Sequence, residues 1–224
     1  VVWQGDHVLA NTMPLLEVED LARQLEGRTL WQGVGFALNA GDRLGLVGPS
    51  GAGKSLLLRH LAWLDPLQRG RILLRGRSPT HWTLPVYRSR VAYLPQRAIA
   101  FAGTVEHNLC QVLGYASHRG QAYAEQRLLG WLRQLGREAS FLTMAAERLS
   151  GGELQLLALL RALQLDPEIL LLDEPTASLD PASTGRVEDL LLQWLAQGQR
   201  ACLLTSHDAA QIERFTGRQL SLTP

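Results

Sequence analysis

The chain has almost no lysine. Of its 22 basic residues, 21 are arginine and only Lys54 is lysine; set against 21 acidic residues they leave a formal net charge of +1. That balance gives no electrostatic footprint for nucleic acid. The one loose basic cluster, Arg69, Arg71, Arg75 and Arg77, reads as a solvated strand edge. Cysteine is scarce as well. Cys110 and Cys202 lie far apart, lack metal-binding spacing, and read as reduced structural thiols suited to the cytosol. No apolar run approaches the ~18 residues that would suggest a membrane span. The opening VVWQGDHVLANTM has no basic stretch followed by an apolar one, so it does not read as a signal peptide. Residues 1–12 are set aside as an extension, native or not, ahead of the first patterned strand. Repeats, low-complexity tracts and long heptad runs are missing too.

The chain has 224 residues, 46% of them apolar. That is enough to bury a core, and it suggests one domain or one domain with a sub-lobe. Short apolar runs predict strands at 15–19, 34–39, 43–47, 71–75, 90–94, 169–173, 201–205 and 219–222. Amphipathic stretches predict helices at 53–63, 104–113, 122–135, 151–165, 181–195 and 209–215. The run ILLLD shows no alternation, as expected of a parallel strand covered on both faces. Strand–helix alternation at both ends implies an α/β sheet. Between Gln96 and Leu165 only helical pattern remains, which reads as a helical sub-lobe inserted into the sheet.

GPSGAGKS, residues 48–55, follows the apolar strand RLGLV and opens the helical run KSLLLRHLAWL. Strand, glycine-rich turn and helix start are the context of a phosphate-binding loop. Gly48, Gly51 and Gly53 let backbone N–H groups approach phosphate oxygens, and the helix start adds roughly half a positive charge. The loop also accounts for the lone lysine. A loop wrapped around phosphates has room for a compact ammonium with rotating donors, whereas guanidinium is broader and flat. Ser55 is the expected hydroxyl for Mg²⁺. Position 56 is Leu, where many such loops carry a second hydroxyl.

LSGGE, residues 149–153, opens another helix. Ser150, Gly151 and Gly152 suit a second anion site, while Ser150 with Glu153 equally suits an ordinary capping box. ILLLDEP ends a buried strand in two adjacent carboxylates, Asp173 and Glu174. In a phosphate-loop protein the first is placed for Mg²⁺ through its water shell and the second for the attacking water. Asp180 before Pro181 makes a good helix start. His207 follows the strand ACLLT, at a carboxyl strand end from which it can reach a γ-phosphate. YLPQ ends a further strand at Gln96.

Taken in order, GPSGAGKS, Gln96, LSGGE, ILLLDE, SLD and His207 resemble the nucleotide-binding subunit of bacterial ABC transporters, over residues 15–222. The resemblance implies a P-loop NTPase of ABC type. Its α/β core, at 14–96 and 166–224, has a central mostly parallel sheet with an antiparallel β edge, and a helical sub-lobe is inserted at 97–165. It implies ATP and Mg²⁺ as cofactors. Gly48, Pro49, Ser50, Gly51, Ala52, Gly53, Lys54, Ser55 and Leu56 would hold one face of the nucleotide. Ser150, Gly151, Gly152 and Glu153 of a second copy would hold the other, with Asp180 at the dimer seam. Lys54, Gln96, Glu174 and His207 would carry the chemistry, and Ser55, Gln96 and Asp173 the metal. Gln96 would also link to a membrane permease on separate chains.

Three places depart from the family pattern. Counting back from Phe36, the usual adenine-stacking aromatic falls at Leu25, and the nearby Trp31 is out of register. Gln155 is followed by Leu156 where a basic residue is common. The third is Leu56. None removes a catalytic group, so an active ATPase is expected, peripheral to the inner face of the membrane.

The alternative is a soluble ATPase of the same type acting on DNA or ribosomes. It is disfavoured by the missing coiled-coil insertions, the single cassette and the near-neutral charge. After Gln96, the residues Ile99, Ala100, Phe101 and Ala102 form a candidate permease-docking surface. FAGTVEHNL resembles bacterial exporters and the compact Fet-type iron exporters. The chain stops just after its last strand, so no C-terminal regulatory extension is expected.

Overall fold

The computed structural model describes residues 13–114 and 123–222. The extension at 1–12 and the predicted helix start at 122 lie outside the described residues.

Five strands form a parallel sheet in the order β5 (Val91–Leu94), β6 (Ile169–Asp173), β7 (Ala201–Thr205), β3 (Arg43–Val47) and β8 (Arg218–Ser221). Two of its three inner strands, ILLLD and ACLLT, are buried at every position. Side chains alternate between the faces of a strand, and here each face has its own core. Leu170, Leu172, Cys202 and Leu204 pack with α5 (Gly151–Gln164), α6 (Pro181–Ala196) and α7 (Ala209–Phe215). Ile169, Leu171, Ala201 and Leu203 pack with α1 (Lys54–Leu61) and a second, smaller sheet. A continuous apolar run is what two covered faces require.

The second sheet is antiparallel, in the order β2 (Arg28–Leu38), β1 (Leu16–Leu25) and β4 (Arg69–Leu74). Its first two strands run well past the predicted 15–19 and 34–39. Alternation breaks at Asp20 and at Gly33, both with positive φ, and the register shifts nearby. Such bulges bring Leu21 and Trp31 back to the core face after an extra residue, which a strict period of two does not detect. Glu26 and Gly27, both at positive φ, close the hairpin.

Between Gln96 and Leu165 the described residues hold α3 (Val105–Leu113), α4 (Glu125–Gln134), α5 and two short 3₁₀ turns, with no strand. One helix was not anticipated, α2 (Leu84–Arg90). Leu84 and Val86 point outward, and only Tyr87 turns in, donating its hydroxyl to the Leu61 carbonyl at 2.7 Å. So short a helix with one buried residue leaves no amphipathic period.

The arginine cluster is largely paired. Arg69 meets Asp20 at 2.7 Å and Arg71 meets Glu19. Arg75 and Arg90 share Glu168, at 2.5 and 2.6 Å, just ahead of β6. Both cysteines are free thiols. Cys202 is buried, which pushes its thiol up to about 12, whereas Cys110 is exposed.

Candidate active site

The parallel register sets the site. Leu94 lies beside Leu172, Asp173 beside Thr205, and Leu204 beside Gly45. Continued a residue or two, that register brings Gln96, Glu174, Ser206–His207 and Val47–Gly48 to one level at the carboxyl edge, where open α/β sheets bind ligands.

The phosphate loop is built to present bare N–H groups. Helix α1 begins at Gly53, in the left-handed region (φ 84°), with no side-chain cap and no acid in its first turn. Its first N–H groups and its dipole are therefore free to meet an anion. By contrast, Thr104, Ser150, Asp180 and Asp208 each cap their own helices. Gly53 is also pressed from behind, since an added Cβ would lie 2.8 Å from Trp31 Nε1. At Gly48 a Cβ would lie 2.6 Å from the Leu222 carbonyl. The loop is thus backed by Trp31 on one side and the end of β8 on the other. Lys54 Nζ donates to the carbonyls of Gly48 and Pro49, at 2.8 and 3.1 Å, which holds the ammonium over the loop. Ser55 is exposed beside it. These residues fit a triphosphate with its magnesium.

Trp31 is buried against Gly53 and His60 and is not free to stack on a base. Leu25 is 48% exposed at the hairpin tip.

At the β6 end, Asp173 is buried and accepts from Tyr93 Oη at 3.0 Å and Thr205 Oγ1 at 2.9 Å. Burial first, then the neighbouring carboxylate, pushes the Tyr93 phenol well above its ordinary range, so it remains a donor. Glu174 has φ 51°, a costly conformation for a non-glycine residue and one that clusters at functional sites. Its carboxylate accepts from Gln96 Nε2 at 2.8 Å and meets His207 Nε2 at 2.8 Å. Two of the sequence-predicted residues, Gln96 and His207, therefore converge on the carboxylate of a third. A cavity of about 600 Å³ opens beside them, lined in part by Glu174, Leu179, His207 and Arg214.

LSGGE forms a complete capping box. Ser150 Oγ accepts from Glu153 N, and Glu153 Oε2 accepts from Ser150 N at 2.9 Å. The Ser150 backbone N–H is the first cause of a lowered Glu153 pKa. Asp180 caps α6 through Ser183, whose hydroxyl is the main cause holding that carboxyl low. Two residues missed in the sequence join these parts. Thr205 touches both carboxylate residues, and buried Gln155 donates to the Glu174 carbonyl at 3.2 Å and accepts from Ser178 N at 3.0 Å. A polar residue at the end of an otherwise aliphatic strand was the available signal for Thr205.

Ile99 is 73% exposed and Phe101 39%. Asn108 holds Phe101 by its backbone at 2.8 and 2.9 Å, and Arg161 bonds the Ile99 carbonyl. Ile99, Phe101 and Ala102 are surface, while Ala100 packs against the core. Next to it a groove of about 310 Å³ runs between Leu64, Arg88, Pro95, Ile99 and Arg161. Among the described residues, no helix is long and apolar enough to cross a membrane.

The sequence pattern of the ABC transporter family matches residues 31–177. ABC transporter I family member 17 of Arabidopsis thaliana is 34% identical over 211 residues, covering 93% of this chain and 79% of that one. Fe(3+) ions import ATP-binding protein FbpC 3 of Rhodococcus jostii is 34% identical over 91% of this chain, which spans 58% of the importer. Probable iron export ATP-binding protein FetA of Escherichia coli is 31% identical, over 91% of this chain and 89% of its own. A solved ATP-binding subunit of an ABC transporter superposes with a TM-score of 0.83 at 27% identity, over 93% of this chain and 85% of that one.

Proposed function

The chain belongs to the ABC transporter family, and from that premise we propose that it is the ATP-hydrolysing subunit of a transporter, closing head to tail with a second copy around two ATP molecules and driving a permease carried on separate chains. The observation that carries this reading is Glu174. It stands at the carboxyl edge beside Asp173, level with the phosphate loop, and Gln96 and His207 both engage it.

In this reading, Gly48 to Ser55 and the open start of α1 bind the phosphates, and Lys54 exchanges its loop carbonyls for phosphate oxygens. Ser55, Asp173 and Gln96 would hold Mg²⁺, which would supply charge neutralisation for the transferred phosphoryl group. Glu174 accepts the proton of the attacking water, and His207 holds the γ-phosphate side of that geometry. The partner copy supplies Ser150 to Glu153, with Asp180 at the seam. Binding must first loosen the contacts of Gln96 and His207 with Glu174, which couples the Gln96 segment to occupancy of the site. The helices α3, α4 and α5 form the helical sub-lobe in this reading.

In this reading the permease docks at the apolar surface of Ile99 and Phe101 with the adjacent groove, and the protein works peripherally on the cytoplasmic face of the membrane. For the cargo, the likeness to FetA, nearly end to end, supports export of a metal ion such as iron.

The test is to pull down tagged Glu174→Gln protein from detergent-solubilised host membranes with Mg-ATP and identify its companions by mass spectrometry. A polytopic membrane protein in near-equal amount is expected. Soluble partners or ribosomes alone overturn the transporter reading.

A further inference from the structure

Thr205 is fully buried, yet its hydroxyl touches both carboxylate residues of the site. Oγ1 donates to Asp173 Oδ1 at 2.9 Å and accepts from the Glu174 backbone N–H at 3.1 Å. The other Asp173 oxygen accepts from Tyr93 at 3.0 Å. The register supports this, since Thr205 lies directly beside Asp173 across the β6–β7 pair. A buried hydroxyl is unfavourable unless it is bonded. Valine would fill the same volume at the end of ACLLT with no such demand. Here the hydroxyl's donor and acceptor capacities are both used, and both point at the reacting edge. Each Asp173 oxygen gives one lone pair to a fixed hydroxyl and keeps the rest for a ligand.

We infer that Thr205 is a positioning residue for the metal, fixing the Asp173 carboxylate toward hydrated Mg²⁺ and the Glu174 backbone relative to it, with Tyr93 steadying the second oxygen. The inference rests on the Mg-ATP reading of the site. Partners of this kind, one step removed from the metal, alter affinity by about 10–100-fold when removed.

The test uses the full chain saturated with ATP and titrates Mn²⁺, which is followed by electron paramagnetic resonance. Thr205→Val is expected to weaken Mn²⁺ binding about tenfold or more, and Thr205→Ser to stay within about twofold of the parent. Tyr93→Phe, at a half-buried side chain, should weaken it several-fold and carries the test if the valine variant does not fold. Half-saturating Mg²⁺ for hydrolysis should move in parallel, while metal-free ATP affinity stays unchanged. Parent-like Mn²⁺ binding in both Thr205→Val and Tyr93→Phe overturns the inference. So does a serine variant as impaired as the valine one, which would assign the effect to packing. A parent protein with no ATP-dependent Mn²⁺ binding overturns the nucleotide reading itself, and this inference with it.

Discussion

His207 Nε2 lies 2.8 Å from Glu174 Oε1, on a carboxylate whose other oxygen accepts from Gln96. Glu174→Gln keeps the shape and removes the proton acceptor. Hydrolysis should fall at least about a hundredfold, the scale of a lost general base, while ATP binding persists. Closed dimers should then accumulate on size-exclusion chromatography in Mg-ATP. A variant that remains monomeric at saturating Mg-ATP would contradict closure by the isolated subunit. His207→Ala should also slow turnover sharply, and a near-normal rate would leave His207 a structural part.

Lys54 is the ammonium already folded over the loop. Lys54→Ala should lose tight binding of a fluorescent ATP analogue without changing the circular dichroism spectrum. Lys54→Arg should not restore it, because the flat guanidinium does not fit between Gly48 and Pro49 as the ammonium does.

Gly53 and Gly41 both have left-handed backbones, at φ 84° and 87°, but only Gly53 has a neighbour in the way. Gly41→Ala should cost about 1–2 kcal/mol from backbone strain alone. Gly53→Ala should cost more, because its Cβ meets Trp31, and it should also impair ATP binding. Urea midpoints of the two variants separate the contributions.

Phe101 is partly exposed on a segment pinned by Asn108 and Arg161. Phe101→Asp should therefore leave basal ATPase intact and weaken capture of the permease in the pull-down. Loss of basal activity with intact capture would contradict the docking assignment.

Glu153 titrates below its ordinary 4.5 because it accepts from Ser150 N–H and Oγ. Its contribution to stability is therefore full above about pH 4.5 and is lost as pH falls through the lowered value. Glu153→Gln should melt lower than the parent at neutral pH, with the gap narrowing in acid. Ser150→Ala should cost about 1 kcal/mol at neutral pH through the lost cap.

The strands that lie in apolar cores were legible because burial on both faces leaves an uninterrupted run. The predicted 43–47, 169–173 and 201–205 coincide with β3, β6 and β7. Gly53 and Lys54 were legible because a phosphate loop needs glycine and one compact cation at fixed places. The long first hairpin was not, since its bulges at Asp20 and Gly33 break the period that reveals a strand. Nor were Tyr93, Gln155 and Thr205, whose roles depend on which strand lies beside which. For LSGGE the sequence supported two readings, and the capping box is the one formed within a single chain.

Glu168 forks between Arg75, just after β4 of the small sheet, and Arg90, just before β5 of the large one. It sits six residues before Glu174, roughly 20 Å along an extended strand. Glu168 therefore ties the two sheets together at the end of β6 remote from the nucleotide edge. Stiffness and chemistry occupy different ends of the same strand, so the nucleotide edge can exchange its hydrogen bonds in every cycle without loosening the fastening that keeps the halves in register.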